Sequence, residues 1–155
     1  MESVYIETTI VSYLVAKTSI EPLKAARQEI TRDWWTHRRG HYLCVTSDET
    51  AIEAERGDTE QVKLRLEALR NVSRLPNTAA ALTLAERLKA SGIFPPRAAT
   101  DAAHIALAAA ANVDYLLTWN FRHLLNGAIR RRTRRLVAAG FEMPTVCTPE
   151  ELMED

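Results

Sequence analysis

The chain has 155 residues, 46% of them hydrophobic, and its twenty basic side chains balance twenty acidic ones. That length and apolar content suffice for the core of one domain without metal or disulfide staples, and the charge balance argues against a wholly basic nucleic-acid binder. Cys44 and Cys147 lie far apart in no metal or redox spacing, and no apolar run approaches the roughly 20 residues of a membrane helix, so a soluble, cytoplasmic protein with buried free cysteines and no membrane partner is expected.

Ser3 to Ile6 reads as a short strand, followed by a helix through Ile10, Val11 and Leu14 that Thr8 or Thr9 can cap, which leaves Glu7 at the strand's carboxyl end. Between Pro22 and Arg39, Leu23, Ala26, Ile30 and Trp34 recur at helical spacing, with Gly40 as the stop. Tyr42 to Val45 is a second strand. Ser47 caps the next helix, where Asp48 and Glu49 meet the positive end of the helix dipole and Glu53 lies about one turn further in. Asp58 with Gln61 resembles a capping box ahead of Val62, Leu66 and Leu69. Val72 to Leu75 can form a short third strand, and Thr78 opens a helix that ends at Ser91-Gly92. Pro95-Pro96 precedes an alanine-rich helix from about Ala98 to Ala111, and Tyr115 to Thr118 is a buried strand. A last helix runs from Asn126 to Ala139 and stops at Gly140, and Thr145 to Cys147 is the final strand before a short acidic tail. Short strands alternating with helices predict a single α/β domain over residues 1–155, its central parallel sheet of four or five strands covered by helices on both faces.

In such sheets ligands collect at the carboxyl ends of the strands, where the strand order reverses. Glu7 follows the first strand, Glu53 sits in the helix after the second, Asp101 opens the helix before the fourth, and Asn120 follows the fourth. Right-handed winding brings these four oxygen-bearing side chains together. Three neighbouring carboxylates repel and raise one another's pKa unless a cation neutralises them. Hard oxygen donors, with no paired His or Cys nearby, favour Mg2+ or Mn2+ over zinc, and such ions keep waters that can attack a phosphate. Each acid also has a plainer explanation. Glu7 and Asp101 can be helix N-terminal acids, and Glu53 can be a solvated helical glutamate for which Glu49, Glu55 or Asp58 would serve equally. Asp114 reads as a solvated turn residue or a substitute ligand for Asn120.

The segments VYIETTIVSYL, TSDETAIEAERGD, ATDAAHIALAAA and VDYLLTWNFRHL, in that order and spacing, resemble the PIN-domain ribonucleases, particularly the VapC-like toxins of toxin–antitoxin pairs, and TVCTPEELM resembles that family's last strand and tail. The resemblance covers nearly the whole chain. It implies a PIN-like domain that hydrolyses phosphodiester bonds in RNA with one or two metal ions and is neutralised by a small antitoxin. By the same resemblance Glu7, Glu53 and Asp101 are the three metal-binding acids, Asn120 stands where many members have a fourth, and Thr8 and Thr118 can position waters or a phosphate oxygen. Glu7 is one methylene longer than the Asp common at its position, and Asn120 removes a negative charge, departures that also permit a catalytically inactive PIN domain acting as an RNA-binding or scaffolding module.

Around this constellation, His104 lies one turn beyond Asp101 on the same helix face, either as a phosphate or base contact or as a satisfied surface residue. Arg122 and His123 are candidate substrate contacts. Trp119 is a candidate for base stacking or for packing, whereas Trp34 and Trp35 are expected to pack the long helix, one inward and one partly exposed. From Phe121 to Phe141 there are six arginines and no acid. With Ile129, Leu136 and Val137 inward, Arg130, Arg131 and Arg134 among them form an outward basic stripe suited to RNA phosphate or to an acidic antitoxin segment. The Ala-rich and tryptophan-bearing helices also make a homodimer plausible.

Overall fold

The computed structural model describes residues 1–153. Its elements run β1 (Ser3–Ile6), α1 (Thr8–Val15), α2 (Pro22–Asp33), β2 (Leu43–Thr46), α3 (Asp48–Ala54), α4 (Thr59–Leu69), β3 (Ser73–Arg74), α5 (Ala79–Ala90), α6 (Ala99–Ala110), β4 (Tyr115–Leu117), α7 (Gly127–Val137) and β5 (Thr145–Cys147). The end of the acidic tail, Glu154 and Asp155, lies outside the described residues. All five strands pair in parallel in the order β3-β2-β1-β4-β5. The chain therefore builds outward from β1 through β2 and β3, then returns to the other side of β1 for β4 and β5. That reversal lies between β1 and β4, where Tyr5 pairs with Leu116 and Ile6 with Leu117, and the ladder continues as Glu7 N–H donates to Leu117 O at 3.2 Å.

Side chains alternate along the short strands, so each strand supplies two cores. Tyr5, Val45, Leu116 and Val146 face one side and pack with α5, α6 and residues of α7. Val4, Ile6, Leu117 and Cys147 face the other and pack with Ile10 and Val11 of α1, Trp34 and Leu69. Burying each large apolar side chain contributes roughly 1.5–3 kcal/mol, and the two cores together fix the sheet as a rigid platform. Helix α6 is rich in alanine, the best helix former, and Ala102, Ala106, Ala108 and Ala109 are fully buried. Among the described residues, no helix is long and apolar enough to cross a membrane.

Several local expectations are corrected. The first residue of α1 is Thr8 and the cap position is Glu7, whose side chain makes no capping bond. The hydroxyls of Thr8 and Thr9 are instead engaged by acids of the sheet edge. The long helix does not run unbroken to Gly40. It leaves α-helical geometry after Asp33, widens into a π-helical turn over Trp34–Arg38 and tightens into a 3-10 turn over Arg39–His41. Such a turn re-aims side chains. Here Trp34 is buried and stacks on Tyr42 at 6.0 Å, while Trp35 remains half-buried beneath Arg39, as its neighbour's inward packing requires. Ser47, Asp58 and Thr78 cap their helices, but Gln61 Oε1 has no partner among the described residues, so the capping box at Asp58 is only half formed. Gly92, at φ +76°, supplies the left-handed residue beyond α5. Both cysteines are free; Cys147 is buried and Cys44 half-buried, and burial pushes their thiols up to about 12 and about 11 respectively.

Candidate metal centre

The reversal between β1 and β4 is where the acids gather. Glu7 follows Ile6, and by strand alternation its side chain lies on the same face as Tyr5, toward α6. It is only 2% exposed. Its Oε1 accepts two bonds, from Thr9 Oγ1 at 2.6 Å and from Thr118 Oγ1 at 2.5 Å, the latter carried by the residue that follows β4. Glu53, in the last turn of α3, has the same arrangement: its Oε1 accepts from Thr8 Oγ1 at 2.6 Å and from His104 Nε2 at 2.7 Å. Each glutamate thus has one oxygen saturated by two donors and leaves its Oε2 without a protein partner among the described residues. One ligand atom from each of Glu7, Glu53 and His104 lies within 4.8 Å of the others, a spacing that can hold a metal ion.

His104 is wholly buried, which corrects the expectation of a surface residue or a substrate contact. A carboxylate only accepts, so Nε2–H donates to Glu53; Nδ1 meets Tyr5 Oη at 2.6 Å, and Tyr5 Oη meets Ser47 Oγ at 2.5 Å. A hydrogen-bonded chain therefore runs Ser47–Tyr5–His104–Glu53–Thr8. With both ring nitrogens engaged, His104 is free to ligate only if one of these bonds opens, so the free carboxylate oxygens are the better donors. Burial alone would hold the imidazole down, but Tyr5, Glu53 and Glu7 outweigh it and carry the His104 pKa well above 6.5. Burial pushes the Glu7 carboxyl up, more than His104 and the bonds from Thr118 and Thr9 pull it down. For Glu53 burial also acts upward, but the bond and charge of His104 and the bond from Thr8 prevail, and the net shift is downward.

Asp101 opens α6 in its first turn and is 9% exposed. Its Oδ1 accepts from Asn120 Nδ2 at 3.2 Å and its Oδ2 meets His123 Nδ1 at 2.9 Å. Burial raises its pKa, against the charges of His104 and His123. Asp101 and Asn120 thus stand beside the Glu7–Glu53–His104 group rather than in it. Asn120 presents its amide nitrogen to Asp101, and its Oδ1 accepts from His123 N at 3.0 Å, so its carbonyl closes a local turn. Thr118 is a hub, donating to Glu7 and accepting from Asn120 N at 3.0 Å.

The outer residues divide differently from expectation. Trp119 is a packing residue, 5% exposed, with Nε1 donating to Thr31 Oγ1 at 2.7 Å and its ring stacked on Tyr13 at 6.0 Å. His123 is tied to Asp101, and Arg130 is half-buried and reaches Val146 O at 3.3 Å. Arg122, Arg131, Arg132, Arg134 and Arg135 are exposed and form no ion pair among the described residues. Of the α7 arginines, Arg134 lies away from the acids, lining a hollow with Asn112 and Thr145 at the opposite end of the sheet. Asp114 also lies at that end and cannot substitute for Asn120. The sequence reading missed Tyr5, Thr9 and the buried role of His104. The period-2 pattern that puts Tyr5 and Glu7 on one face, and the three-residue spacing of Asp101 and His104, were the available signals.

No protein-family model matches the sequence, and no curated protein matches it.

Proposed function

We propose that this protein is a PIN-like, divalent-metal-dependent ribonuclease. The observation that carries the reading is the matched state of the two glutamates at the strand-order reversal: each is fixed by two donors on Oε1 and keeps Oε2 free, with Asp101 beside them. Free hard oxygens on pre-oriented carboxylates, Glu7 buried and Glu53 half-buried, suit Mg2+ or Mn2+. Glu7 and Glu53 would hold the ion through their open oxygens, with Asp101 joining them if one of its bonds to Asn120 or His123 opens. When bound, such an ion lowers the pKa of a water and stabilises charge on a phosphoryl oxygen. The chain's own contribution is orientation: Thr9 and Thr118 hold Glu7, Thr8 and His104 hold Glu53, and Asn120 with His123 holds Asp101. Exposed arginines on α7 suit a polyanion, either RNA or the acidic segment of a small antitoxin.

A second reading has its own observation. His104, buried against both glutamates and inclined to carry a proton, can balance their charge without a metal. That suits an RNA-binding or scaffolding domain without catalysis. Incubating purified protein with a mixed RNA panel in Mg2+, Mn2+ or chelator, beside Asp101→Asn, separates the two. Hydrolysis is expected only with metal and reduced at least about a hundredfold in the variant. RNA bound yet uncut in every metal would instead establish the binding module.

A further inference from the structure

Trp119, buried and hydrogen-bonded, leaves the question of what a strand of RNA would meet as it leaves the acids. The next exposed ring in the chain is Phe121, 47% exposed, one residue beyond the Asn120 that bonds Asp101. A bond from Phe121 N to Trp119 O at 3.0 Å closes a tight turn around Asn120. The Arg27 guanidinium, from α2, lies 4.5 Å from the centre of the Phe121 ring and 5.6 Å from that of Trp119. Lys24 Nζ lies 5.8 Å from the centre of the Tyr13 ring, which stacks on Trp119. Arg27 and Lys24 have no acidic partner among the described residues. Two segments distant in sequence thus bring a half-exposed aromatic ring and the Arg27 cation together, next in the chain to the Asn120 that bonds Asp101, with Lys24 one turn earlier on α2.

We propose that Phe121, with Arg27 over it and Lys24 one turn earlier on α2, is a stacking platform for one unpaired nucleotide of a single-stranded RNA, the base on the ring and guanidinium and the adjoining phosphate held by the cations. This rests on the reading of the neighbouring acids as the site that acts on RNA. A ring and a guanidinium plane offer a π surface that every base can use, whereas a base inside a duplex is already stacked and cannot reach them. The platform therefore selects unpaired strands rather than a sequence. An acidic protein segment would engage the cations but would have little use for the exposed ring.

The test is binding of a fluorescently labelled oligoribonucleotide by anisotropy in chelator, so that hydrolysis plays no part, against the same sequence annealed as a blunt duplex. Phe121→Ala is expected to weaken single-strand binding roughly 5- to 150-fold, the range for losing one base–aromatic stack, with duplex binding unchanged. Phe121→Tyr should restore it and Phe121→Leu, which keeps apolar bulk without a π face, should not. Thermal melting of each variant checks that the fold is kept, which the half-exposed position favours. Unchanged single-strand affinity in Phe121→Ala would overturn the platform, as would full rescue by leucine, equal loss for strand and duplex, or binding of an acidic peptide in place of RNA by the wild type. Metal-dependent cleavage by the wild type, assayed separately with Glu53→Gln, reports on the hydrolytic reading. Cleavage together with an indifferent Phe121 rejects the platform alone, and stacking-dependent binding without cleavage rejects hydrolysis alone.

Discussion

Acids gather at both ends of the sheet, yet the two ends differ in kind. At the amino end, Glu2, Asp114 and Glu142 are exposed around a hollow of about 170 Å³. Asp114 Oδ2 accepts from Ser3 N and Ser3 Oγ at 2.8 and 3.1 Å, and Tyr115 Oη donates to Glu2 at 3.2 and 3.1 Å. These bonds clamp the start of β1 to the start of β4 in contact with water. At the carboxyl end the acids are buried or nearly so, and their partners are side chains from α1, α6 and the end of β4, which hold one oxygen of each glutamate and leave the other open. Position at a strand end is common to both groups. Partial or full burial with directed donors is what turns an acid into part of a site, because there the carboxylate is fixed in orientation and its charge is set by the neighbouring side chains rather than by water.

The largest expected difference between the two ends is structural. His104→Ala removes a wholly buried ring, opens a cavity and strips Glu53 and Tyr5 of a partner each, at a cost of about 2–4 kcal/mol in urea denaturation. Asp114→Ala, breaking bonds that water can replace, should cost about 1 kcal/mol or less. Equal losses would mean that the carboxyl-end network is merely another clamp.

Much of this contrast could be read from residue order, and some of it could not. β1 and β5 fall where alternation places them, and Glu7, Glu53 and Asp101 follow as strand-end and helix-start acids once a parallel sheet is inferred. Burial is harder to read. His104 looks like a surface residue because its helix is alanine-rich on every side, and only the packing of α5 over α6 shows that no side of it near the sheet stays wet. Trp119 and Phe121 lie two residues apart in a turn, where no periodicity says which ring is enclosed; the fold buries the tryptophan and exposes the phenylalanine. Arg27 joins them from a helix almost a hundred positions away, a proximity that no local pattern carries. Glu7 and Asn120 departed from the expected acids, and the bonds explain how each is used: two threonines hold the longer glutamate, and the asparagine's amide supports Asp101.

The next effect concerns protons and cations. Glu7, Asp101 and His104 all have folded-state pKa values above their ordinary 4.5, 3.8 and 6.5. Between the unfolded and the raised folded value the native state holds more protons, so stability falls as pH rises through that window. Glu53, shifted down, acts oppositely: its contribution is present above 4.5 and is lost as pH falls through its folded value. In chelator, then, the melting temperature should decline as pH rises above 6.5, where the unfolded chain gives up the proton that folded His104 still holds. A divalent cation bound by the ionised acids should reverse the decline, with greater stabilisation at higher pH. At about 100 times its Kd it would add about 2.7 kcal/mol, several degrees for a chain of this size. Differential scanning fluorimetry with Mn2+ and chelator across that range checks both signs. A melting temperature indifferent to pH and to metal would place the carboxyl-end acids with those of the amino end.

The smallest effect tests whether nearness to the site matters without burial. Asp48, in the first turn of α3, pairs with Arg74 of β3 at 3.0 Å, on the helix that carries Glu53, but both side chains are 53% exposed. Water and salt screen such a pair, and holding two long side chains in register offsets part of its attraction. Arg74→Gln should therefore cost about 0.5 kcal/mol or less by urea denaturation and leave metal-induced stabilisation unchanged, with no difference at high salt. Asp48 would still sit at the amino end of α3, where the helix dipole favours it. A loss well above 1 kcal/mol, or weakened metal binding, would show that the pair positions α3 and through it Glu53, and would extend the site's rigid frame beyond its buried donors to the rim of the sheet.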